Sequence, residues 1–339
     1  GPGNYNVTVT DNNGCVISGS VNLANPNPLL ASVTTTNLSC FNSANGVAVA
    51  TTTNAIGAVS YVYVGGPAAI TTQTATGLQA LSYTLTATDQ NTCVATTIFT
   101  LSQPALLTVS ISATGSVSCS GGSNGFATAA PSGGTPVYNY AWSNGQAVAT
   151  STGLAAGPYT VTITDNQGCV ASTSVSIIQP AGLTATLTSA NAPCNGQSGS
   201  ANIAYSGGMG IPSFLWQPGL QVISNPSNLS PGTGTTASSQ IHTVQITDGN
   251  GCQISKTVTI SQPAQIVANI SNIINTNCGQ ANGSATVSAS GGAGGYVYQW
   301  SSNPSFTNAV ISSVVSGAYT VNVQDVNGCN VSAIATIND

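Results

Sequence analysis

Charge is almost missing from this chain. Among 339 residues there is one Lys, no Arg, no Glu, six Asp and one His. Charged residues make up 2%, against roughly 25% in an ordinary soluble domain. That scarcity excludes whole classes of function. Nucleic-acid binding needs Lys and Arg to displace counterions, and so does attachment to an anionic membrane surface. Acid–base and nucleophilic catalysis need positioned titratable groups, so the chain reads as a non-enzyme, and no cofactor motif appears. Long apolar runs are missing too. No stretch approaches the roughly 18 consecutive apolar residues of a spanning helix, so no membrane insertion is expected. Helical periodicity is absent, as is any CxxC spacing of the metal-binding kind. Disorder does not follow, because it pairs low hydrophobicity with high net charge, whereas 41% of this chain is hydrophobic. The opening "GPGNY" shows no secretion signal; any such signal is expected upstream or already removed.

What the chain does have is repetition. The phrase "PYTVTITDNQGC" at 158–169 recurs as "NYNVTVTDNNGC", "SYTLTATDQNTC", "IHTVQITDGNGC" and "AYTVNVQDVNGC". Their cysteines fall at 15, 93, 169, 252 and 329, in steps of 78, 76, 83 and 77. A second series, "NLSC", "SVSC", "NAPC" and "NTNC", places cysteines at 40, 119, 194 and 278. Junctions "LSQPAL", "IIQPAG" and "ISQPAQ" recur as well, with "LANPNP" a looser version. Four full repeats are expected at 30–106, 107–182, 183–265 and 266–339, with 1–29 the back part of a truncated one.

Each repeat reads as β throughout. In "YTVTITD" Tyr159, Val161 and Ile163 alternate with Thr160, Thr162 and Thr164, the period of a half-buried strand. Short strands every 8–12 residues, separated by Gly-rich turns such as "SGG", indicate a sandwich. The expected fold is all-β, a tandem array of immunoglobulin-like β-sandwich repeats with six or seven strands each.

Nearly every carboxylate sits at one place in that phrase. Asp11, Asp89, Asp165, Asp248 and Asp325 each end a strand just ahead of a Gly or its equivalent. Asp accepts backbone N–H bonds in a turn and Gly tolerates positive φ, so the Asp is read as a turn-former. The competing reading is Ca²⁺ between repeats, but one carboxylate per repeat falls short of six to eight oxygen ligands; no metal site is assigned. Asp339, the last residue, is given no role.

Tyr5, Tyr83, Tyr159 and Tyr319 open the same strand, with His242 in that slot in the third repeat. The slot resembles the tyrosine corner of sandwich domains, whose hydroxyl bonds back to the backbone. His242 lacks a catalytic partner. Lys256 shares parity with Val258 and Ile260, and reads either as an inward edge charge that discourages sheet pairing or as an exposed residue at a bulge. Trp142, Trp216 and Trp300 end strands such as "YNYAW" and are read as core aromatics, or as a platform for sugars. In the first repeat Gly65 is placed where the Trp would fall.

Nine cysteines indicate disulfides and an oxidising, extracellular setting. Two pairings are open. Pairing within repeats gives Cys40–Cys93, Cys119–Cys169, Cys194–Cys252 and Cys278–Cys329, leaving Cys15 over. In an immunoglobulin-like order, however, those two positions lie at opposite poles, roughly 25–35 Å apart along strands of seven to ten residues. A disulfide needs Cα atoms within about 7 Å. Pairing between successive repeats gives Cys40–Cys169, Cys119–Cys252 and Cys194–Cys329, with Cys15, Cys93 and Cys278 reaching outside the chain. The pole argument favours the second scheme and depends on the strand order.

The second repeat, "SCSGGSNGFATAAPSGGTPVYNYAWSNGQ" followed by "GLAAGPYTVTITDNQGC", resembles the SprB-type repeat family. The first repeat departs in lacking Trp, and the third in its longer loop and His242. The resemblance implies very large surface proteins of gliding and related Bacteroidetes, export by the type IX system, surface filaments, and adhesion during gliding motility. The expected role is therefore structural and adhesive: a stiff stalk on the extracellular cell surface, whose partners are neighbouring repeats of a longer chain. A carbohydrate-binding array that takes surface polysaccharide, and a self-assembling multi-chain filament, are the alternatives.

Overall fold

The computed structural model describes residues 1–301 and 307–339. Every regular element among them is a β-strand. Strands β1 (Gly3–Thr10) and β2 (Val16–Leu23) form an antiparallel hairpin exposed along both strands. The next set comprises β3 (Leu30–Thr36), β4 (Gly46–Thr53), β5 (Val59–Val64), β6 (Thr74–Leu78), β7 (Ser82–Asp89) and β8 (Val94–Thr100). Then come β9 (Thr108–Gly115), β10 (Gly125–Ser132), β11 (Asn139–Trp142), β12 (Thr150–Leu154), β13 (Gly157–Thr164) and β14 (Val170–Ile177). The third set is β15 (Thr184–Ala190), β16 (Ser200–Ser206), β17 (Ser213–Gln217), β18 (Ser238–Thr247) and β19 (Gln253–Gln262). The last is β20 (Val267–Ile274), β21 (Gly283–Ser290), β22 (Val297–Trp300), β23 (Val310–Val314), β24 (Gly317–Gln324) and β25 (Asn330–Ile337).

Alternation decides which face is inside. Along β7, Tyr83, Leu85, Ala87 and Asp89 are buried while the Thr residues between them are half-exposed. Branched Thr suits the outer pleated face, so an uncharged sheet still presents polar groups to water. Each set folds as two small antiparallel sheets. The orders are β3-β4-β6 with β5-β7-β8, β9-β10-β12 with β11-β13-β14, and β20-β21-β23 with β22-β24-β25. The chain crosses between the sheets at three connections in each of these three sets, as immunoglobulin-like sandwiches do. The third set has β15-β16 with β17-β18-β19. There a single bridge, Gly199↔Leu229, stands where the other sets have a third strand. The fold is all-β and immunoglobulin-like.

The chain divides into two compact units, Gly1–Gly115 with Gly125–Ile177, and Ser116–Asn124 with Ile178–Asp339. The segment Ser116–Asn124, which carries Cys119, groups with the later unit although β9 and β10 on either side of it group with the earlier one. In the first unit a core gathers around Tyr63, Leu85 and Leu101. In the second, one core gathers around Trp216, Ile246 and Ile260, and another around Trp300, Ile311 and Ile337. A sandwich of this size buries a low fraction of its surface and is marginal unaided, which makes the links between repeats matter.

Candidate functional site at the joint between repeats

The joint begins with the aspartate of the repeated phrase. Asp165 Oδ1 accepts the backbone N–H of Gln167 and of Cys169, each at 2.9 Å, closing the turn between β13 and β14. Its Oδ2 accepts the N–H of Thr135 at 2.8 Å, thirty residues back. The same triad of donors recurs. Asp89 takes Asn91, Cys93 and Ile56; Asp248 takes Asn250, Cys252 and Met209; Asp325 takes Asn327, Cys329 and Ala293. Asp11 closes its turn on Asn13 and Cys15. The four later aspartates are buried. Burial raises the carboxyl pKa of Asp89, Asp165 and Asp248, but the backbone N–H groups they accept outweigh it, so all three ionise below the ordinary carboxylate value. With both oxygens committed to amide donors, the carboxylate works as a turn-former and offers little to a cation.

The second oxygen explains the "SGG" loops. Gly134, Gly208 and Gly292 have φ near +63°, +69° and +59°, and a Cβ on each would lie 2.6–2.8 Å from the Oδ2 of Asp165, Asp248 or Asp325. Only Gly fits. Its N–H then donates to the junction, to Ala105 O, Ala181 O and Ala264 O respectively, at 2.8–2.9 Å. Tyr138 and Tyr296 complete the loop by donating their hydroxyls to Gly133 O and Gly291 O.

From the other side, the junction glutamine holds the cysteine loop before it. Gln103 Oε1 accepts the N–H of Asn42, Gln179 that of Gly121, and Gln262 that of Gly196, at 2.7–2.8 Å. Each Gln-Pro-Ala is thus pinned by its Gln to the loop upstream and by its Ala to the loop downstream. In the last repeat Asp339 takes the glutamine's place. It accepts the N–H of Gly279 at 2.8 Å and the hydroxyl of Thr276 at 3.0 Å. Those two bonds hold its carboxyl below the ordinary value against a smaller opposing effect of burial. A role for the junction glutamine, and for Asp339 in its slot, was missed at the level of sequence. The recurrence of "QP" was the available signal.

Disulfides close the joint. Cys40 is bonded to Cys169, Cys119 to Cys252 and Cys194 to Cys329, with Cα atoms 5.6–5.7 Å apart. Each joins the loop cysteine of one repeat to the turn cysteine held by the aspartate of the next. Asn250 and Asn327 reinforce two of them by donating to Ser118 O and Pro193 O at 3.0 and 2.9 Å. Cys15, Cys93 and Cys278 are free and exposed.

The aromatic slots need one correction. Trp142, Trp216 and Trp300 pair across the sheet with Val161, Val244 and Val321. The equivalent of those valines in the first full repeat is Leu85, and Leu85 pairs with Tyr63, not Gly65. Tyr63 fills the Trp slot with a ring 1% exposed, and its hydroxyl donates to Gln73 O at 2.7 Å. The Trp indoles donate likewise, to Val148 O, Ile223 O and Asn308 O. Register, not the count of letters after "YVY", sets the slot. All four rings are buried, at 4% exposure or less. The corner slots behave alike. Tyr5, Tyr83, Tyr159 and Tyr319 donate to the carbonyl four residues back, at Gly1, Gln79, Ala155 and Val315. His242 is buried and its Nε2 lies 2.7 Å from Ser230 O, twelve residues back, because the longer loop supplies a different carbonyl. Lys256 lies on the edge strand β19 in unbroken register opposite the buried Val244, which puts it on the inner face with an exposed side chain, as an edge charge would be, and leaves no bulge.

Residues 111–147 and 270–305 match the family of the SprB repeat. Among solved structures it is similar to a tetra-tandem repeat from the extending region of a large adhesion protein, at 14% identity over 92% of this chain and 99% of that one, with a TM-score of 0.32. It is also similar to the N-terminal eight immunoglobulin domains of Down syndrome cell adhesion molecule, at 14% identity over 100% of this chain and 58% of that one, TM-score 0.27. The protocadherin gamma B4 extracellular domain is similar at 12% identity over 98% and 76%, TM-score 0.29. No curated protein matches the chain.

Proposed function

We propose that this chain is a length of an extracellular, adhesin-like stalk displayed at a cell surface, with a mechanical rather than an enzymatic role. The observation that carries the reading is the joint. A Gln-Pro-Ala linker with no side bonds would be a short hinge, but here it is hydrogen-bonded on both sides. A disulfide then bridges the loop before it and the turn after it. Bonds of this kind belong to oxidising compartments outside the cytosol. In this reading Cys15 and Cys93, at the turn position, and Cys278, at the loop position, pair with cysteines of further repeats of the same longer chain. The SprB repeats support a finer placement: a very large surface protein of gliding or related bacteria, exported by the type IX route and serving adhesion. The buried Trp142, Trp216, Trp300 and Tyr63 rings speak against a sugar platform built on that strand.

The test uses beads that carry the purified chain by one terminus, flowed over bare and polysaccharide-coated glass. Retention above beads bearing an unrelated immunoglobulin-like domain on both surfaces is the expected result. Equal retention would sink the adhesive part of the reading. Retention on polysaccharide alone, competed by free sugar, would favour a carbohydrate-binding array instead.

A further inference from the structure

The three disulfides overlap along the chain. Their partners are separated by 129, 133 and 135 residues, while the turn cysteines recur every 76–83. Each bond therefore opens before the previous one closes: Cys119 lies inside the Cys40–Cys169 loop, and Cys194 inside the Cys119–Cys252 loop. We propose that these overlapping bonds define a short covalent load path, which makes the oxidised chain a nearly inextensible tether even when its sandwiches unfold. The inference rests on the reading that the chain is loaded end to end.

Force follows the shortest covalent route. Between the termini that route is residues 1–40, across to 169–194, and across again to 329–339, 77 residues in all. The other 262 residues, 41–168 and 195–328, hang slack inside closed loops. At about 3.6 Å per extended residue, the path reaches roughly 280 Å, against roughly 1,200 Å for the open chain. Unfolding one sandwich, which releases length in an ordinary tandem array, is contained by the loop around it.

The middle bond has a different duty. Cys119–Cys252 lies off the shortest route, because the detour through 119–169 and 194–252 is longer than the direct segment 169–194. It takes load only when a neighbour is missing. Without Cys40–Cys169, the shortest route becomes 1–119, 194–252 and 329–339, 189 residues in all, or roughly 680 Å extended. The middle bond thus backs up either outer one, and loss of an outer bond lengthens the tether in a bounded step.

Single-molecule force spectroscopy on the full chain, with handles at both termini, tests this. The three free cysteines are changed to Ser to prevent chain-to-chain bonds, and free thiols are counted by mass spectrometry on the same preparation. The oxidised chain is expected to reach about 280 Å before the handles fail, and about fourfold more with reductant. Cys119→Ser with Cys252→Ser is expected to leave that limit unchanged, whereas Cys40→Ser with Cys169→Ser raises it to about 680 Å. An oxidised chain that extends toward 1,200 Å, a middle-bond variant that lengthens as much as the first-bond variant, or thiols left unpaired at these six positions would overturn the proposal. Failure of the bead assay would leave these lengths untouched, so the two readings fail separately.

Discussion

Asp165 accepts the backbone N–H of Cys169 four residues on, at 2.9 Å, and so sets the position from which that cysteine reaches Cys40. The turn-former and the disulfide are one device. Replacing the carboxylate leaves the N–H groups of half-buried Thr135 and Cys169, and of exposed Gln167, without their acceptor, and a shielded donor left unsatisfied costs more than the bond was worth. Asp165→Ala is expected to lower the melting temperature by several degrees and to slow formation of Cys40–Cys169 during oxidative refolding. Differential scanning calorimetry and thiol quantification over time check it. An unchanged oxidation rate would separate the turn from the disulfide.

The same carboxylates predict the acid limit. Asp89, Asp165 and Asp248 ionise below the ordinary value in the folded chain. A lowered folded pKa favours the native state wherever the group is ionised, and that contribution is lost as protons bind. Stability is therefore expected to hold above the unfolded Asp value of about 3.9 and to decline as pH falls below it toward the folded values. Urea midpoints measured from pH 7 down to pH 2 test the direction. A midpoint that rises on acidification would refute the triad of N–H donors as a stabilising feature.

Trp216 is fully buried and hydrogen-bonded through its indole to Ile223 O at 2.9 Å. Truncating a large core aromatic typically costs about 3–5 kcal/mol through lost burial and the cavity left behind. Trp216→Ala is expected to fall in that range by urea denaturation. Tyr63→Trp in the first full repeat is a milder change, since Tyr63 already fills the equivalent slot. A cost below about 1 kcal/mol for Trp216→Ala would argue that the ring is not core.

Much of this was legible in the sequence, and what was not has physical reasons. Strands and turns were visible because Tyr159, Val161 and Ile163 alternate with Thr and because Asp and Gly recur at a fixed offset. The pole argument for Cys119 with Cys252 needed only strand order and strand length. The Trp slot of the first full repeat reads at Gly65, two residues past its place at Tyr63, because a letter count cannot see that Leu85 is the cross-strand partner of Tyr63. Gln179 and Asp339 were passed over for a different reason. A Gln beside a Pro reads as linker chemistry, and nothing in the letters says that its Oε1 faces a backbone N–H some 58 residues away.

Cys194–Cys329 encloses a loop of 135 residues. In the chain-entropy account a loop of that length is worth about 5 kcal/mol, and losses on removing a native disulfide run about 2–5 kcal/mol. Cys194→Ser with Cys329→Ser is expected to destabilise the second unit within that range, measured by urea unfolding with tryptophan fluorescence. A loss near zero would mean that the hydrogen bond from Asn327 to Pro193 O and the rest of the joint suffice alone.

The junction glutamine gives the most direct test of stiffness. Gln179 Oε1 accepts the N–H of Gly121 at 2.7 Å, and the neighbouring Ala181 O accepts that of Gly208 at 2.9 Å. Gln179→Ala removes the first bond and leaves the second. A single hydrogen bond of this kind contributes about 0.5–1.5 kcal/mol net, so amide exchange at Gly121 is expected to quicken by about two- to twelvefold. Exchange at Gly208 should stay within experimental error, because its acceptor is a backbone carbonyl that the substitution does not touch. If both amides quicken together, the junction is opening as a unit and the glutamine is its latch. If neither does, the loop around Gly121 is held by the disulfide of Cys119, and stiffness at this joint belongs to the covalent bond.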